Sequence, residues 1–329
     1  MAHEIYEINN EWSMAYVGET PWHGLGQEIP NDASMGIWAK KAHLDWSIKE
    51  TPVLYQIPDG TVKEAEGKKA LFRSDDNSFL SVIGSNYNTV QPEEILEFFK
   101  SLIKAGDFRM KTAGSLQNGR RIWALAETGQ SLRLMGQDRV DQYLLLATSC
   151  DGSLANTGMF TSVRVVCNNT LQMSISDGEG GRSRNYVKVP HSSKFNPEKM
   201  KAELGLGVKG FAIFAEKAAE MAKFKLSDIH IVDIITKLLA IEKKNGEKAT
   251  PSEKRIADII HLYKTAPGQE LTSADGTLWG MVNAITRYTD HERNFRSRET
   301  NLTNAWFGNG MRLKEKMWGI ADDLIQKAA

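Results

Sequence analysis

The residues with the clearest chemical potential are arginines placed among hydroxyl and aromatic side chains. In the segment 161–170, Arg164 shares one face of a predicted strand with Ser162 and Val166, because alternate side chains of a strand point to the same side. A guanidinium group can donate two parallel hydrogen bonds to a phosphate, so this face is suited to a nucleic-acid backbone. The alternative is a core strand that exposes one arginine.

A second basic segment, residues 182–194, follows a glycine-rich stretch and includes an aromatic ring, Tyr186. Basic groups beside a ring that stacks on bases can hold a single strand without reading its sequence. The alternative is a solvated loop. The predicted nucleic-acid-binding residues are six basic side chains that contact phosphate and one tyrosine that stacks on a base: Arg120, Arg121, Arg164, Arg182, Arg184, Lys188 and Tyr186.

A third segment, residues 287–298, contains four arginines and lies near several aromatic residues. This composition suits a nucleic-acid platform, but arginine and aromatic side chains are also enriched where subunits meet. We favour the contact between subunits and therefore predict a homo-oligomer. The predicted interface residues are Tyr288, Arg293, Phe295, Trp306 and Phe307.

Motifs that would support catalysis are weak. The run 205–210 matches the G-x-G-x-x-G pattern of dinucleotide sites, but that pattern needs a buried strand before it, and residues 197–204 are charged and helix-prone. Asp233, Glu242 and Lys244 imitate a metal-dependent nuclease but lie in a predicted helix, whereas such nucleases carry these groups on strands. The histidines and the two cysteines lack zinc-site spacing. We therefore predict no catalytic residue, no metal, no cofactor and no enzymatic activity.

The chain is neutral overall but unevenly charged. Its 329 residues include 41 basic and 41 acidic side chains. Residues 1–99 carry 7 basic and 16 acidic side chains, residues 100–209 carry 16 and 9, and residues 210–329 carry 18 and 16. A basic middle region is consistent with an anionic partner, and nucleic acid is the commonest large anion.

The sequence also indicates a compartment. Residues 1–12 are acidic and lack the apolar core of an export signal. The longest apolar window, residues 229–241, is interrupted by Asp233 and Lys237, so no membrane-spanning segment is predicted. Two cysteines are too few for a disulfide framework. These features predict a cytoplasmic protein without membrane contacts.

Turn residues and hydrophobic periodicity predict an α+β fold, in which an antiparallel sheet with a packed helix precedes a largely helical C-terminal region. Three segments are expected: a Trp-rich N-terminal segment (1–50), an antiparallel α+β core (51–190) and a helical domain (191–329). The glycine-rich stretch 174–184 is predicted to be a loop or boundary. Predicted strands are 54–57, 69–72, 79–83, 108–113, 121–126, 142–149 and 159–168; predicted helices are 31–42, 92–105, 196–224, 228–244, one that opens near 250, 277–288 and 313–327.

Three motifs resemble a known family. They are YVGETPWHGLG at 16–26, RVVCNNTL at 164–171, and Trp306-Phe307-Gly308 with Lys314. They resemble the phage/plasmid-like protein family that contains the domain of unknown function 932, and the resemblance covers nearly the whole chain. It implies a mobile genetic element in a bacterial cell or phage-infected host, and it implies no particular catalytic residues.

The function expected from these observations is nucleic-acid binding by an oligomer. Single-stranded DNA is the favoured ligand, and annealing or binding during recombination or replication is the favoured role. The alternative is a protein-interaction module or host-defence inhibitor that binds no nucleic acid, in which the acidic, Trp-rich N-terminal segment would mimic DNA or bind a partner.

Overall fold

The computed structural model describes residues 5–21, 24–106, 108–164, 169–171, 174–177, 181–184, 186–204, 207–242, 248–249, 251–292 and 301–328. The strands are β1 (Glu7–Ile8), β2 (Glu11–Trp12), β3 (Met14–Tyr16), β4 (Gln27–Glu28), β5 (Ile48–Gln56), β6 (Val62–Arg73), β7 (Phe79–Gly84), β8 (Arg109–Leu116), β9 (Arg121–Leu134), β10 (Asp138–Ser149), β11 (Asn156–Arg164), β12 (Asn169–Leu171), β13 (Ser174–Asp177), β14 (Gly181–Arg184), β15 (Tyr186–Val189), β16 (Ile241–Glu242) and β17 (Lys248–Ala249). The helices are α1 (Met35–Lys41), α2 (Pro92–Ala105), α3 (Pro197–Leu204), α4 (Gly207–Lys223), α5 (Asp228–Leu239), α6 (Glu253–Thr265), α7 (Leu278–Arg287), a π-helix (Tyr288–Glu292), α8 (Asn301–Phe307) and α9 (Asn309–Ala328).

The strands form one large sheet and several small ones. The large sheet has the order β12-β11-β10-β9-β8-β3-β4, and β15 also pairs with β11. A second sheet has the order β5-β6-β7, and its neighbouring strands are antiparallel. Helices predominate after β15. The predicted α+β class, with antiparallel sheets and a helical C-terminal region, is confirmed.

The chain divides into two compact units. The first contains residues 1–129, 143–159 and 186–205, and the second contains residues 130–142, 160–185 and 206–329. The chain passes between the units within β9, β10 and β11. Residues 50 and 190, the limits of the segments expected from the sequence, lie inside the first unit.

Helix α2 of the first unit begins where its sequence predicts. Pro92 occupies its first turn, and Gln91 and Glu94 form a capping box, which satisfies amide groups that a helix start leaves without partners. Ile95, Leu96, Phe98 and Phe99 are buried along one side. These residues form the core-facing side of the helix.

A buried arginine organises another part of the first unit. The Arg73 guanidinium lies 4.3 Å from the ring centroid of Trp46, and it donates hydrogen bonds to Tyr6 and to both carboxylate oxygens of Asp75. Gly119 lies against Trp46 with a φ of +91°, an angle that favours glycine. Asn118-Gly119 is a strong hairpin signal, and it joins β8 and β9, which pair from Leu116↔Arg121 onward.

The helical second unit has an aromatic core. Phe214, Trp279 and Trp318 contact one another, with ring centroids 5.3–6.4 Å apart. Asp138 is buried nearby, where its carboxylate accepts hydrogen bonds from Ser273 Oγ at 2.6 Å and Trp279 Nε1 at 2.9 Å. A buried carboxylate needs such donors because burial without them is costly.

Two predicted helices have different limits in the structure. Within the helix predicted over 196–224, the structure describes α3 (Pro197–Leu204) and α4 (Gly207–Lys223), and residues 205–206 lie outside the described residues. The helix predicted over 228–244 ends at Leu239 and is followed by β16. Lys316 donates hydrogen bonds to the carbonyls of Lys237 and Leu238 at 2.9 and 2.8 Å, and a cation there stabilises a helix C-terminus.

The ends of the stretch 174–184 are strands instead of the loop that was one of its two predicted roles, and the division between the two units follows it, between Asn185 and Tyr186. Its two ends pair as the antiparallel strands β13 and β14, from Ser174↔Arg184 to Asp177↔Gly181. Serine alternates with isoleucine or arginine at these ends, a period of two that suits a strand. The glycines between the two ends favour a loop, which is why the strands were not predicted. Residues 178–180 lie outside the described residues. Among the described helices, none has the length and apolar character needed to cross a bilayer.

Candidate functional site

The candidate site is built on β15, a short strand beside β11. Tyr186 pairs with Met159 and Lys188 pairs with Thr157, and residues directly opposite each other share a face of the sheet. Gly158 belongs to the other face, where Met200 and Leu204 of α3 lie against it. Helix α3 therefore covers one face of this pair of strands, and Tyr186 and Lys188 lie on the opposite face.

Tyr186 and Lys188 interact directly. The Lys188 ammonium lies 4.5 Å from the centroid of the Tyr186 ring, within the range of a cation–π contact. Lys188 is exposed and Tyr186 is half-buried. The ammonium covers one face of the ring. A base that stacks on Tyr186 must therefore use the other face, while the ammonium can contact a phosphate of the same strand.

Hydrogen bonds between Asn88 and His191 hold the end of β15 in place. The amide and side chain of Asn88 donate to the carbonyl of His191 at 2.7 and 2.9 Å, and the buried His191 ring lies 2.8 Å from the carbonyl of Asn88 and 3.0 Å from that of Leu154. Tyr87 stacks on the imidazole with ring centroids 4.2 Å apart. These contacts hold the chain in place two residues after β15.

Arg120 and Arg121 lie at the same end of the large sheet as Lys188. The amide of Cys150 donates to the carbonyl of Arg120 at 2.9 Å, and β10, β11 and β15 follow β9 in the pairing. With neighbouring strands about 4.8 Å apart, the start of β9 lies about 14 Å from β15. The structure therefore places Arg120, Arg121, Tyr186 and Lys188 at the same end of the large sheet.

The two arginines differ in their surroundings. Arg120 is exposed, whereas the Arg121 guanidinium donates to Ser153 Oγ at 3.1 and 3.0 Å. Burial raises the pKa of the nearby Asp151 carboxyl, but hydrogen bonds from Ser153 and the charge of Arg121 outweigh this effect and hold its pKa below the ordinary value. Arg121 thus lies beside a carboxylate, and Arg120 is the better placed of the two for phosphate.

The other predicted nucleic-acid contacts belong to the second unit. Arg164 pairs with Asn169, and Arg182 and Arg184 pair with Ser176 and Ser174. The structure describes these arginines through their backbone, and their side chains lie outside what it describes, as does all of Val166. Ser162 is buried, so the hydroxyl expected beside Arg164 is not available at the surface.

The predicted interface residues have unequal surroundings. Tyr288 is buried in the core of the second unit, where its hydroxyl accepts a hydrogen bond from Arg255 Nε at 3.3 Å, so it offers little surface to another subunit. Trp306 and Phe307 are half-buried and pack edge to face, with ring centroids 6.3 Å apart. Arg293 and Phe295 lie outside the described residues.

The second unit contains a buried ion pair that was not predicted from the sequence. Lys314 Nζ lies 2.9 Å from Asp290 Oδ1, and the two side chains are only 1% and 7% exposed. Asp290 lies in the π-helix, an irregular helix that often marks functional positions. The sequence motif Trp306-Phe307-Gly308 with Lys314 contains one partner of this ion pair. Asp290 lies 24 positions before Lys314, so a local sequence pattern could not predict that the two side chains meet.

Gly308 of that motif and the nearby Gly310 both lie very close to Asn304 of α8. A Cβ on Gly308 would lie 2.6 Å from Asn304 Oδ1, and a Cβ on Gly310 would lie 2.8 Å from the carbonyl oxygen of Asn304. Real Cβ atoms do not approach other atoms so closely. Glycine at both positions therefore allows the start of α9 to lie against α8.

His291 lies in the π-helix, next to Asp290. Burial lowers the pKa of His291 to about 4. The charges of Arg287 and Lys314 also lower this pKa, whereas those of Asp290 and Glu292 raise it. An unfolded histidine titrates near 6.5, so below that pH the unfolded chain binds a proton that the folded chain does not. Stability therefore falls as pH decreases below 6.5. We expect a loss on the order of 2 kcal/mol between pH 7 and pH 5 from this group.

Urea unfolding of the wild type and of His291→Gln at both pH values measures this contribution. The variant lacks the titrating ring and should lose less stability between the two pH values. Equal losses in both proteins would contradict the assignment.

The described residues give little support to thiol chemistry or to metal binding. Burial raises the pKa of the Cys150 thiol to about 12, so it remains protonated and unreactive at neutral pH. Among the described residues, no group of three or more histidine, cysteine or acidic side chains is arranged to hold a metal ion.

Comparison with known proteins identifies the family. The family model described as domain of unknown function (DUF932) matches residues 79–306, more than half of the chain. The chain therefore belongs to this family, and all seven predicted nucleic-acid-binding residues lie within the match. Neither a curated protein nor a solved structure matches the chain.

Proposed function

We propose that the protein binds single-stranded nucleic acid, with single-stranded DNA as the favoured ligand. The observation that carries this proposal is the exposed Lys188 ammonium held against the Tyr186 ring on β15. The role we propose is binding or annealing, not catalysis, during recombination or replication of phage or plasmid DNA. The protein would act as an oligomer in the cytoplasm of a bacterial or phage-infected cell.

The charge of the surrounding chain supports this proposal. Residues 181–197 include Arg182, Arg184, Lys188 and Lys194 and contain no acidic residue. Arg120 adds an exposed cation at the same end of the sheet as Lys188. A polyanion gains affinity from cationic side chains because each neutralised phosphate releases counterions.

The test is a titration of labelled oligothymidine with the full chain, followed by fluorescence anisotropy over a salt series. We expect binding that weakens steeply between about 50 and 200 mM salt. Absence of binding at the low end of the series would overturn the proposed function.

Charge reversal at Lys188 tests the location of the site. Lys188→Glu is expected to weaken binding roughly tenfold and to lower the slope of log affinity against log salt by about 1. Lys254→Glu is the matched control, because this lysine side chain is 87% exposed on α6 in the second unit. If both variants bind as tightly as the wild type, or lose affinity equally, the site is not at β15.

A protein-interaction module, such as a host-defence inhibitor, is the second candidate. It is favoured by large apolar side chains exposed on the second sheet, including Leu54, Phe79 and Val82, because exposed apolar patches mark interaction sites. Trp38 and Trp46 of the N-terminal segment are buried, so the first unit's own core accounts for them. Failure to bind oligothymidine would favour this candidate.

A further inference from the structure

The ring of His191 lies between two backbone carbonyls. Its Nδ1 lies 2.8 Å from the carbonyl oxygen of Asn88, and its Nε2 lies 3.0 Å from the carbonyl oxygen of Leu154. The residue is only 6% exposed. Because a carbonyl oxygen accepts hydrogen bonds and cannot donate them, each ring nitrogen faces an acceptor and needs a proton of its own.

Only the protonated form of histidine satisfies both carbonyls. A neutral imidazole carries one N–H group and one acceptor nitrogen, whereas the imidazolium donates from both nitrogens. In either neutral tautomer, one nitrogen lone pair of His191 would lie buried against a carbonyl oxygen, and leaving a buried polar group without its partner is costly. Hydrogen bonds from a charged donor are also stronger than neutral ones. The geometry at His191 therefore favours the imidazolium.

The groups beside the ring are compatible with a positive charge. Tyr87 stacks on the His191 ring with centroids 4.2 Å apart and an angle of 13° between the ring planes, within the range of a cation–π contact. Burial raises the pKa of Tyr87 and of Cys150 to about 12, so both remain neutral at pH 7. Burial also disfavours the charged form of Asp151, but hydrogen bonds from Ser153 outweigh it and keep the pKa of Asp151 low. Asp151 therefore contributes a negative charge to the loop 150–155.

The cations near His191 lie at the surface or beside a carboxylate. Lys188 and Lys194, on the same segment, are exposed, so water and salt screen their repulsion. At the start of β9, Arg120 is exposed and Arg121 lies close enough to Asp151 to lower its pKa. The segment 85–91, which carries Tyr87 and Asn88, contains no charged residue. These surroundings do not offset the preference that the two carbonyls create.

The His191 ring also closes the open end of the pairing between β11 and β15. That pairing ends at Asn156↔Val189, and the same register places Leu154 opposite His191 two residues further on. The bond from the ring to the Leu154 carbonyl thus continues the connection between the two segments beyond the last strand pair. Because strand ends open first, loss of this bond would loosen the end of β15 that carries Lys188.

We propose that His191 is held as an imidazolium in the folded protein, and that loss of its second proton loosens the end of β15. His191 is then a positioning residue for the backbone that carries Tyr186 and Lys188, and it makes the candidate site sensitive to pH. An unfolded histidine loses this proton near pH 6.5, so the contribution to stability is full below that pH and is lost as the pH rises. The sign is opposite to that expected for His291. The effect on nucleic acid rests on the proposed function.

Nitrogen NMR of the full chain tests the charge of the ring without nucleic acid. In an imidazolium the two ring nitrogens have similar chemical shifts, whereas in a neutral ring the protonated and unprotonated nitrogens differ widely. A long-range ¹H–¹⁵N spectrum of the wild type at pH 7.5, assigned through bonds from the His191 backbone, should show two similar shifts. Widely separated shifts would overturn the proposal.

Amide hydrogen exchange tests whether the proton holds β15. From pH 6.5 to pH 8.5, the protection of the β15 amides, corrected for the intrinsic effect of pH, should fall about threefold or more, the net value of one hydrogen bond. His191→Gln has no titrating ring and should show no such fall. His230→Gln, at an exposed histidine of α5, is the matched control and should behave as the wild type. Equal falls in the wild type and His191→Gln would contradict the positioning role.

The oligothymidine titration at the same two pH values extends the test to the site. The wild type and His230→Gln should bind about threefold or more weakly at pH 8.5, and His191→Gln should bind equally at both pH values. Far-UV circular dichroism checks that each variant folds. Absence of oligothymidine binding at either pH would overturn the proposed function, while NMR and hydrogen exchange decide the state of His191 separately.

Discussion

Replacing Gly280 with alanine is expected to destabilise the helical unit by more than about 4 kcal/mol, at the extreme of single substitutions. A Cβ on Gly280 would overlap the carbonyl oxygen of Ala274, and it would lie 2.9 Å from Gln269 Oε1 and 3.0 Å from the carbonyl carbon of Ala274. Two of these three atoms are backbone atoms. A backbone that is fixed cannot move aside as the end of a flexible side chain can.

The loop that carries Ala274 is fixed to the start of α7. Thr277 Oγ1 donates to the carbonyls of Ser273 and Ala274 at 2.7 and 3.1 Å and accepts from the amide of Gly280 at 3.1 Å. Gln269 Nε2 donates to the carbonyl of Gly280 at 2.9 Å. Movement that relieves the overlap would break these buried hydrogen bonds, each of which is costly to leave unmade.

Urea unfolding and yield of soluble protein measure the effect. The matched control is Gly319→Ala in α9, where a Cβ would meet no atom within 4 Å. There alanine should stabilise the helix by about 0.5–1 kcal/mol, because glycine has the lower helix propensity. A stable Gly280→Ala variant would show that the approach of Ala274 to α7 is not as close as described.

Features determined by neighbouring residues could be predicted from the sequence. Pro92 with Glu94 marked the start of α2, and Asn118-Gly119 marked the β8–β9 turn, because caps and tight turns depend on two to four consecutive side chains. The candidate site is only partly of this kind. Tyr186 and Lys188 are two residues apart, so they share a face once β15 is known, but the sequence predicted no strand there.

Features that depend on distant residues could not be predicted. The contact of Arg121 with Ser153 joins residues 32 positions apart, and it changes how available Arg121 is for phosphate. The end of α5 at Leu239 is accompanied by Lys316, 78 positions away from the carbonyl of Leu238 that it caps. The buried position of Tyr288 likewise follows from tertiary packing, which local composition does not encode.

The buried ion pair of Lys314 and Asp290 supports the second large prediction. Lys314→Met is expected to destabilise the protein by about 3–5 kcal/mol, because it leaves the Asp290 carboxylate buried without its ammonium partner. The side chain removed is similar in length, so packing changes little. Urea unfolding at neutral pH measures the loss.

An exposed lysine pair is the matched control. Lys237 and Asp233 lie 2.7 Å apart on α5 with side chains 65% and 53% exposed. Lys237→Met should therefore cost less than about 1 kcal/mol, since solvent screens such pairs. Similar losses for Lys237→Met and Lys314→Met would show that burial does not set the cost.

A double variant separates the ion pair from simple loss of packing. Lys314→Met/Asp290→Leu removes both charges, and replacing a buried pair with apolar groups is often neutral. We expect the double variant to be more stable than Lys314→Met alone, although Thr289 also donates to Asp290 at 3.2 Å. Additive losses would contradict this coupling. Recovery would show that the cost of Lys314→Met comes from the unpaired Asp290 carboxylate, and that the ion pair couples α9 to the π-helix.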